Sequence, residues 1–221
     1  IKNNIEIQNN LFDVEIFTEN NKNKLKKNIK INGDSSKESL DFLYQSISYL
    51  IFLPEMERLF QSSPSFRRNF IDRLIFSENN EYNKIINKYK KNFLERTKIL
   101  QQDKIDINWL SIIETQLSKI GFEIYHLRNN KIDELNENIK ELNNQNNYKF
   151  KIKIKLKDDY FTKDLNHNKY LKNLNEIREY DKKFGGCKIG PHKSDFIVTV
   201  NNDHDASQLS TGQQKTVVLM M

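Results

Sequence analysis

Three stretches of helical periodicity follow one another from Ser63 to about Asn143, and any fold for this chain has to house them. The first opens at Ser63 and Pro64. A serine hydroxyl can accept an amide that lacks an intrahelical acceptor, and proline carries the φ of a first helical turn. Phe66, Phe70, Leu74 and Ile75 continue it toward Ser77. The second covers Glu81 to Leu100, with Tyr82, Ile85, Ile86, Tyr89 and Phe93 on one side. The third begins after Asn108, and its Ile113, Leu117, Ile120, Ile124 and Leu127 alternate four and three apart, a heptad seam. After Leu127 the register slips, resuming at Ile132, Leu135, Ile139 and Leu142. A slip that early predicts packing against the preceding helix in a helical lobe; a partner-binding coiled coil is the alternative.

On either side of this helical block the period changes to two. Phe12, Val14 and Ile16 alternate with Asp13 and Glu15, and a second strand over Leu25 to Asn32, closed by Gly33 and Asp34, makes a β-hairpin. Glu38 to Leu53 reads as a helix, or a helix with a short strand. After a polar break at Asn143 to Asn147, Tyr148, Phe150, Ile152, Ile154 and Leu156 face one way and Lys149, Lys151, Lys153, Lys155 and Lys157 the other. That pattern is a strand with one wet, positive face, either a protected edge or a nucleic-acid platform. Leu165 to Lys183 reads as one helix and Phe196 to Val200 as a strand.

With 221 residues the chain can build one large domain or two lobes. Its 36 basic and 30 acidic side chains give +6, which permits a polyanionic partner without demanding one. A single cysteine, Cys187, excludes an internal disulfide and a cysteine-based zinc cluster, and fits a reducing, cytoplasmic compartment. No apolar run within the chain, the stretch Leu50 to Leu53 included, is long enough to span a membrane. The chain starts at Ile1 and stops within the apolar run Val217 to Met221, so an excerpt of a longer protein is expected.

Of six glycines, Gly185, Gly186, Gly190 and Gly212 fall in the last 37 residues. Gly185 and Gly190 have P-loop spacing, but Pro191 and His192 stand where Lys and Ser/Thr must reach phosphate and metal, so that motif is rejected. The strongest signal is Leu209-Ser210-Thr211-Gly212-Gln213-Gln214-Lys215 ahead of an apolar run. Ser210 suits a helix cap, Gly212 lets a phosphate approach the backbone, Gln213 can donate to a phosphate oxygen, and the free amides with the helix dipole favour an anion. A routine capped helix is the competing interpretation. The chain has seven arginines beside 29 lysines, and Arg67, Arg68 and Arg73 crowd into seven positions. An arginine kept against such a lysine bias points to a need for its planar fork, facing either DNA phosphate or the nearby Asp72, Glu55 and Glu57. His192 either supports a loop near a nucleotide or is a hydrogen-bonded structural imidazole. His204 with Asp203 and Asp205 reads as a solvated turn, and no metal site is expected.

The Leu209 to Lys215 segment resembles the signature of ABC-type ATPases. Pro54-Glu55, Leu59-Phe60, Ser63-Pro64, Arg67-Arg68 and Phe70-Ile71-Asp72 look like the central block of the bacterial RecF family, with Ser62 where that family usually has Gly. Similarity continues in Leu94-Glu95-Arg96, in Arg128, in Asp181 and in Gly190-Pro191-His192-Lys193-Ser194-Asp195, with Thr97 where the family commonly has Asn.

The resemblance implies an α/β ABC-type ATPase lobe, incomplete here, with an inserted, mainly helical second lobe. Residues 1–37 and 146–221 would belong to the first and 38–145 to the second. It also implies ATP-dependent dimerisation on DNA, with Ser210, Thr211, Gly212 and Gln213 reaching ATP across the dimer. Slow magnesium-dependent hydrolysis and help in loading recombinase at gaps, with RecO and RecR partners, complete the expectation. No catalytic residue is expected within the chain, since the P-loop and the acidic strand would lie outside it, and it should be inactive alone. Two alternatives remain: a non-catalytic DNA-binding scaffold, and another ABC-type ATPase with long coiled-coil arms.

Overall fold

A computed structural model describes residues 1–221 apart from 8, 22, 23, 48–52, 147–150, 163, 202 and 203. The chain divides into two compact units, Ile1–Leu50 and Ile51–Met221.

In the first unit β1 (Lys2–Ile7), β2 (Asn10–Asn21) and β3 (Lys24–Ile31) form an antiparallel meander. The expected hairpin is β2 and β3, in register from Val14 opposite Ile31 to Asn21 opposite Lys24. β1 was not foreseen, because only Ile5 and Ile7 in it alternate as a half-buried strand should. After β3 the chain reverses through Asn32 and Gly33, both at positive φ (51° and 83°), and Ile31 and Asp34 exchange backbone bonds of 2.7 and 2.9 Å. This is the primed two-residue turn that asparagine-glycine favours. Ser36 then caps α1 (Lys37–Ser46), shorter than the expected Glu38 to Leu53 segment, of which residues 48–52 lie outside the described ones. Val14, Ile31 and Leu43 are the buried centre of this unit.

In the second unit a kinked 3₁₀ segment, Pro54–Gln61, leads into α2 (Pro64–Glu78), whose cap Ser63 accepts the amide of Phe66 as its sequence predicts. Two helices follow, α3 (Tyr82–Leu100) and the 40-residue α4 (Ile107–Asn146). The register slip in α4 has a structural cause: the helix changes neighbours. Leu117, Ile120 and Ile124 pack in one core with Tyr89 of α3, whereas Ile132, Leu135 and Ile139 pack in another with Phe70, Ile71 and Leu74 of α2. Arg128 lies at the changeover.

The lysine-studded strand is β4 (Ile152–Lys157), with Ile152 and Ile154 buried and Lys153, Lys155 and Lys157 exposed. Tyr148, Lys149 and Phe150 of the expected strand lie outside the described residues, and Lys151 precedes the strand. β4 pairs antiparallel with β5 (Asp195–Val200), which also pairs with the short β6 (His204–Asp205); Asp203 lies outside the described residues. Asn136 of α4 meets the Ile154 backbone from both ends of its amide, donating to the carbonyl at 2.9 Å and accepting the N–H at 2.8 Å. Helix α4 thereby serves edge groups that would otherwise invite another strand.

The helix expected over Leu165 to Lys183 is two: α5 (His167–Glu176), capped by Asn166, and α6 (Arg178–Phe184). Ile177, at φ −96° and ψ 5°, breaks the run, a backbone setting that apolar periodicity does not reveal. The described chain closes with α7 (Thr211–Met220), whose Val217 and Val218 enter the core shared by α2, β4 and β5. No helix among the described residues is long and apolar enough to cross a membrane.

Candidate functional site

The amino end of α7 is an exposed corner mounted on a buried base. Ser210 Oγ accepts the amide of Gln213, and Gln213 Oε1 accepts the amide of Ser210 at 3.0 Å, a reciprocal capping box. With Oε1 so engaged, the Gln213 amide still carries its two Nε2 donors. The amides of Thr211 and Gly212, in the first turn, lack intrahelical acceptors by geometry. Ser210, Thr211, Gly212 and Gln213 are all exposed, and a Cβ placed on Gly212 would meet nothing within 4 Å. The fold itself therefore does not require glycine there. Beneath the corner, buried Gln214 donates to the carbonyls of Leu209 (2.8 Å) and Ser207 (3.3 Å), while Lys215 pairs with Glu57 at 2.7 Å. The arrangement offers backbone and amide donors to an anion on a rigid platform, and the donor set suits a phosphate.

The second constellation surrounds the turn from Gly190 to Asp195. Arg128 grips Asp72 with a two-point fork (2.8 and 2.9 Å), and its remaining nitrogen donates to the Pro191 carbonyl and to Ser194 Oγ. Burial opposes the Arg128 charge, but Asp72 outweighs it and holds the guanidinium protonated well above its ordinary range. Arg67 forks onto Asp195 and also donates to the carbonyls of Phe60 and Ser62. Arg68 donates to the Ser194 carbonyl at 2.7 Å. Of the nearby acids, Asp72 serves Arg128 and Glu57 serves Lys215 in place of the arginine cluster, while the Glu55 side chain is outside the described set. Arg73 is exposed and lines a cleft of about 570 Å³ with Arg68, Lys90 and His192.

His192 is bonded on both ring nitrogens, to the Cys187 carbonyl (2.9 Å) and to the Tyr89 hydroxyl (2.8 Å), with Phe93 against its ring. A carbonyl only accepts, so Nε2 carries the proton, Nδ1 accepts from Tyr89, and the imidazole is neutral. Burial pushes its pKa down to about 4. The unfolded imidazole protonates near pH 6.5 while the folded one resists until about 4, so this contribution to stability is whole above pH 6.5. It is lost as the pH falls toward 4, by up to about 3 kcal/mol. Urea unfolding at pH 7, 5.5 and 4.5 should show that slope, and His192→Gln should flatten it. Burial also pushes the Cys187 thiol up to about 12, so it is no reactive thiolate near neutral pH.

A third group, absent from the candidate residues drawn from sequence, fastens α3 to α4 and α6. Arg96, fully buried, donates to Glu114 (2.9 Å), to Asp181 (2.6 Å) and to the Leu174 carbonyl (3.0 Å), and Arg178 holds Glu114 from its other side. The rarity of arginine was a usable signal here, since Arg96, Arg128 and Arg178 are as exceptional among the lysines as the cluster of three.

The architecture is an α/β fold with a helical lobe, and it matches solved structures closely. The recombination mediator protein RecF of the RecFOR pathway, solved as RecF-ATPrS, superposes with a TM-score of 0.76 at 25% identity over 94% of this chain and 57% of that one. RecF-ATP gives 0.75 at 24% identity, over 95% and 59%. No family model matches. By sequence, the DNA replication and repair protein RecF of Rickettsia conorii is 30% identical over 192 residues, 84% of this chain and 52% of the relative. That of Rickettsia prowazekii is 32% identical over 172 residues, 75% and 47%. The chain is similar to RecF proteins in both sequence and fold. It spans about half the length of the curated relatives it matches.

Proposed function

We propose that this chain is the RecF-like part of an ATP-dependent DNA repair and replication protein. In this role Ser210, Thr211, Gly212 and Gln213 close on the γ-phosphate of ATP held by the P-loop of a second protomer. The observation that carries the proposal is the exposed capping box, with a glycine no intramolecular contact explains and a glutamine whose donors remain after capping. Residues 1–37 and 146–221 then belong to the ATPase lobe and 38–145 to the helical lobe. ATP with magnesium supplies the phosphoryl chemistry when bound, while these residues bind and orient the triphosphate oxygens. Among the described residues no three metal-ligating side chains gather. His192 orders the Gly190 to Asp195 turn, and the arginines hold that turn against α2 and α4. DNA, with RecO and RecR type mediators, is the proposed partner set, recombinase loading at gaps the proposed outcome, and the cytoplasm the proposed location.

Gly212→Leu in the full-length protein tests this directly. Because the position opens onto space, stability should change by no more than about 1 kcal/mol, and the loss of glycine from a helix can raise it. ATP-driven dimerisation, followed by light scattering, should be abolished. Dimerisation at the unaltered ATP concentration would refute the assignment.

A further inference from the structure

The turn that carries the nucleotide corner is held by a segment far from it in sequence. The Ser207 carbonyl, in the 3₁₀ turn Ala206–Gln208 ahead of the corner, accepts two side-chain amides. One is Gln214 of α7 at 3.3 Å, and the other is Gln61, 146 positions away, at 3.2 Å. Gln61 ends the Pro54–Gln61 segment, which meets α7 at a second polar point through Glu57 and Lys215. Met56, Leu59 and Phe60 of the same segment share a core with Val217 and Val218 of α7. The segment is tied onward to α2, whose Arg67 donates to the Phe60 and Ser62 carbonyls while it forks onto Asp195.

Neither polar contact has the marks of a stability device. Gln61 is exposed, and Glu57 and Lys215 are partly exposed, a setting in which an ion pair contributes little to folding. The apolar core keeps α7 on the segment, but apolar attraction is non-directional and does not fix how far a helix is slid or turned. The capping box joins Ser210 to Gln213, so it orders the corner internally without setting where the corner stands. Donors that meet a reacting phosphate have to be held within about 0.5 Å, and a misplacement of about 1 Å can cost a hundredfold in rate. We propose that Gln61 and Glu57 are positioning residues for the nucleotide corner, through which the helical lobe sets where Gly212 and Gln213 meet the triphosphate. The inference rests on the role across the dimer proposed above and adds to it two residues that touch no nucleotide themselves.

The test uses the full-length protein. Gln61→Glu keeps the side chain's size but sets a carboxylate oxygen against the Ser207 carbonyl, and Glu57→Lys sets a like charge against Lys215. Together they should raise the ATP concentration for half-maximal dimerisation, followed by light scattering, about tenfold. The urea midpoint should not move, and a fluorescent ATP analogue should bind the monomer as before, because the P-loop half of the site is untouched; a merely structural role would shift both. Adding Lys215→Glu to Glu57→Lys re-forms the pair with its charges exchanged and should recover most of the loss that Glu57→Lys causes alone. Unaltered ATP dependence in the Gln61→Glu, Glu57→Lys protein, where Gly212→Leu abolishes dimerisation, would overturn the positioning role and leave the corner's own role standing. Dimerisation that survives Gly212→Leu would overturn both. A lowered urea midpoint with no recovery in the exchanged pair would make the segment a structural support and overturn the proposal.

Discussion

Arg96→Met should cost about 3–5 kcal/mol of folding stability, the largest single effect expected in this chain. The side chain is completely buried, as are Glu114 and Asp181, and the guanidinium spends its donors on those two acids and on the Leu174 carbonyl. Burial works against the charge on Arg96, and the surrounding anions outweigh it. Methionine fills similar volume but, among the described residues, leaves Asp181 with the Lys188 amide (2.9 Å) and the Cys187 thiol, and Glu114 with Arg178. The penalty comes from the stranded acids more than from the lost attraction. Arg96→Met together with Glu114→Gln and Asp181→Asn should therefore recover part of it. Urea unfolding checks both variants; a loss below about 1 kcal/mol for Arg96→Met would mean the network is solvated in solution.

Gly190→Ala is the second large effect, about 3 kcal/mol or more. Gly190 sits at φ +131°, where an L side chain is strained, and its Cβ would fall 2.4 Å from the Tyr170 hydroxyl and 2.5 Å from that of Tyr89. Both tyrosines are buried, so neither ring can swing aside without disturbing its core. The Tyr89 hydroxyl is also the donor to His192, so the substitution strikes the support of the whole turn. Among the described residues the Tyr170 hydroxyl has no polar neighbour beyond the Tyr89 hydroxyl and no well-formed hydrogen bond, which makes Tyr170→Phe a mild change by itself. In the Gly190→Ala background it should restore part of the lost stability by removing the closest clash. No gain in the double variant, measured by urea unfolding, would place the whole cost in the backbone.

These two sites show where sequence reading stops. The caps at Ser63 and Ser210 are local: hydroxyl and amide are three residues apart, so residue type and order suffice to find them. The alternation of β4 and the seam of α4 are legible for the same reason, as was the crowding of glycines toward the end of the chain. Arg96 finds Asp181 from 85 positions away and Arg128 finds Asp72 from 56, pairings that exist only once the helices are packed. Of the nearer acids, Asp72 and Glu57 pair elsewhere, because α2 turns the Arg67 and Arg68 side chains toward the Ser194 and Asp195 turn. The break at Ile177 was hidden for another reason: a helix can end on backbone geometry alone, with no proline or glycine to mark it.

The central claim is that the corner at Ser210 to Gln213 serves a nucleotide bound by another molecule, and mixing two inactive full-length proteins tests it most directly. One would carry Gly212→Leu with an intact P-loop; the other would carry a disabled P-loop lysine with an intact corner. Neither should turn over ATP alone. Combined in equal amounts, the two can pair only with each other, and each mixed dimer has one complete site of two, so turnover should return to at most about one half of the unaltered rate. If the mixture stays silent although mixed dimers form, or if the Gly212→Leu protein hydrolyses ATP by itself, the corner does not act across the dimer.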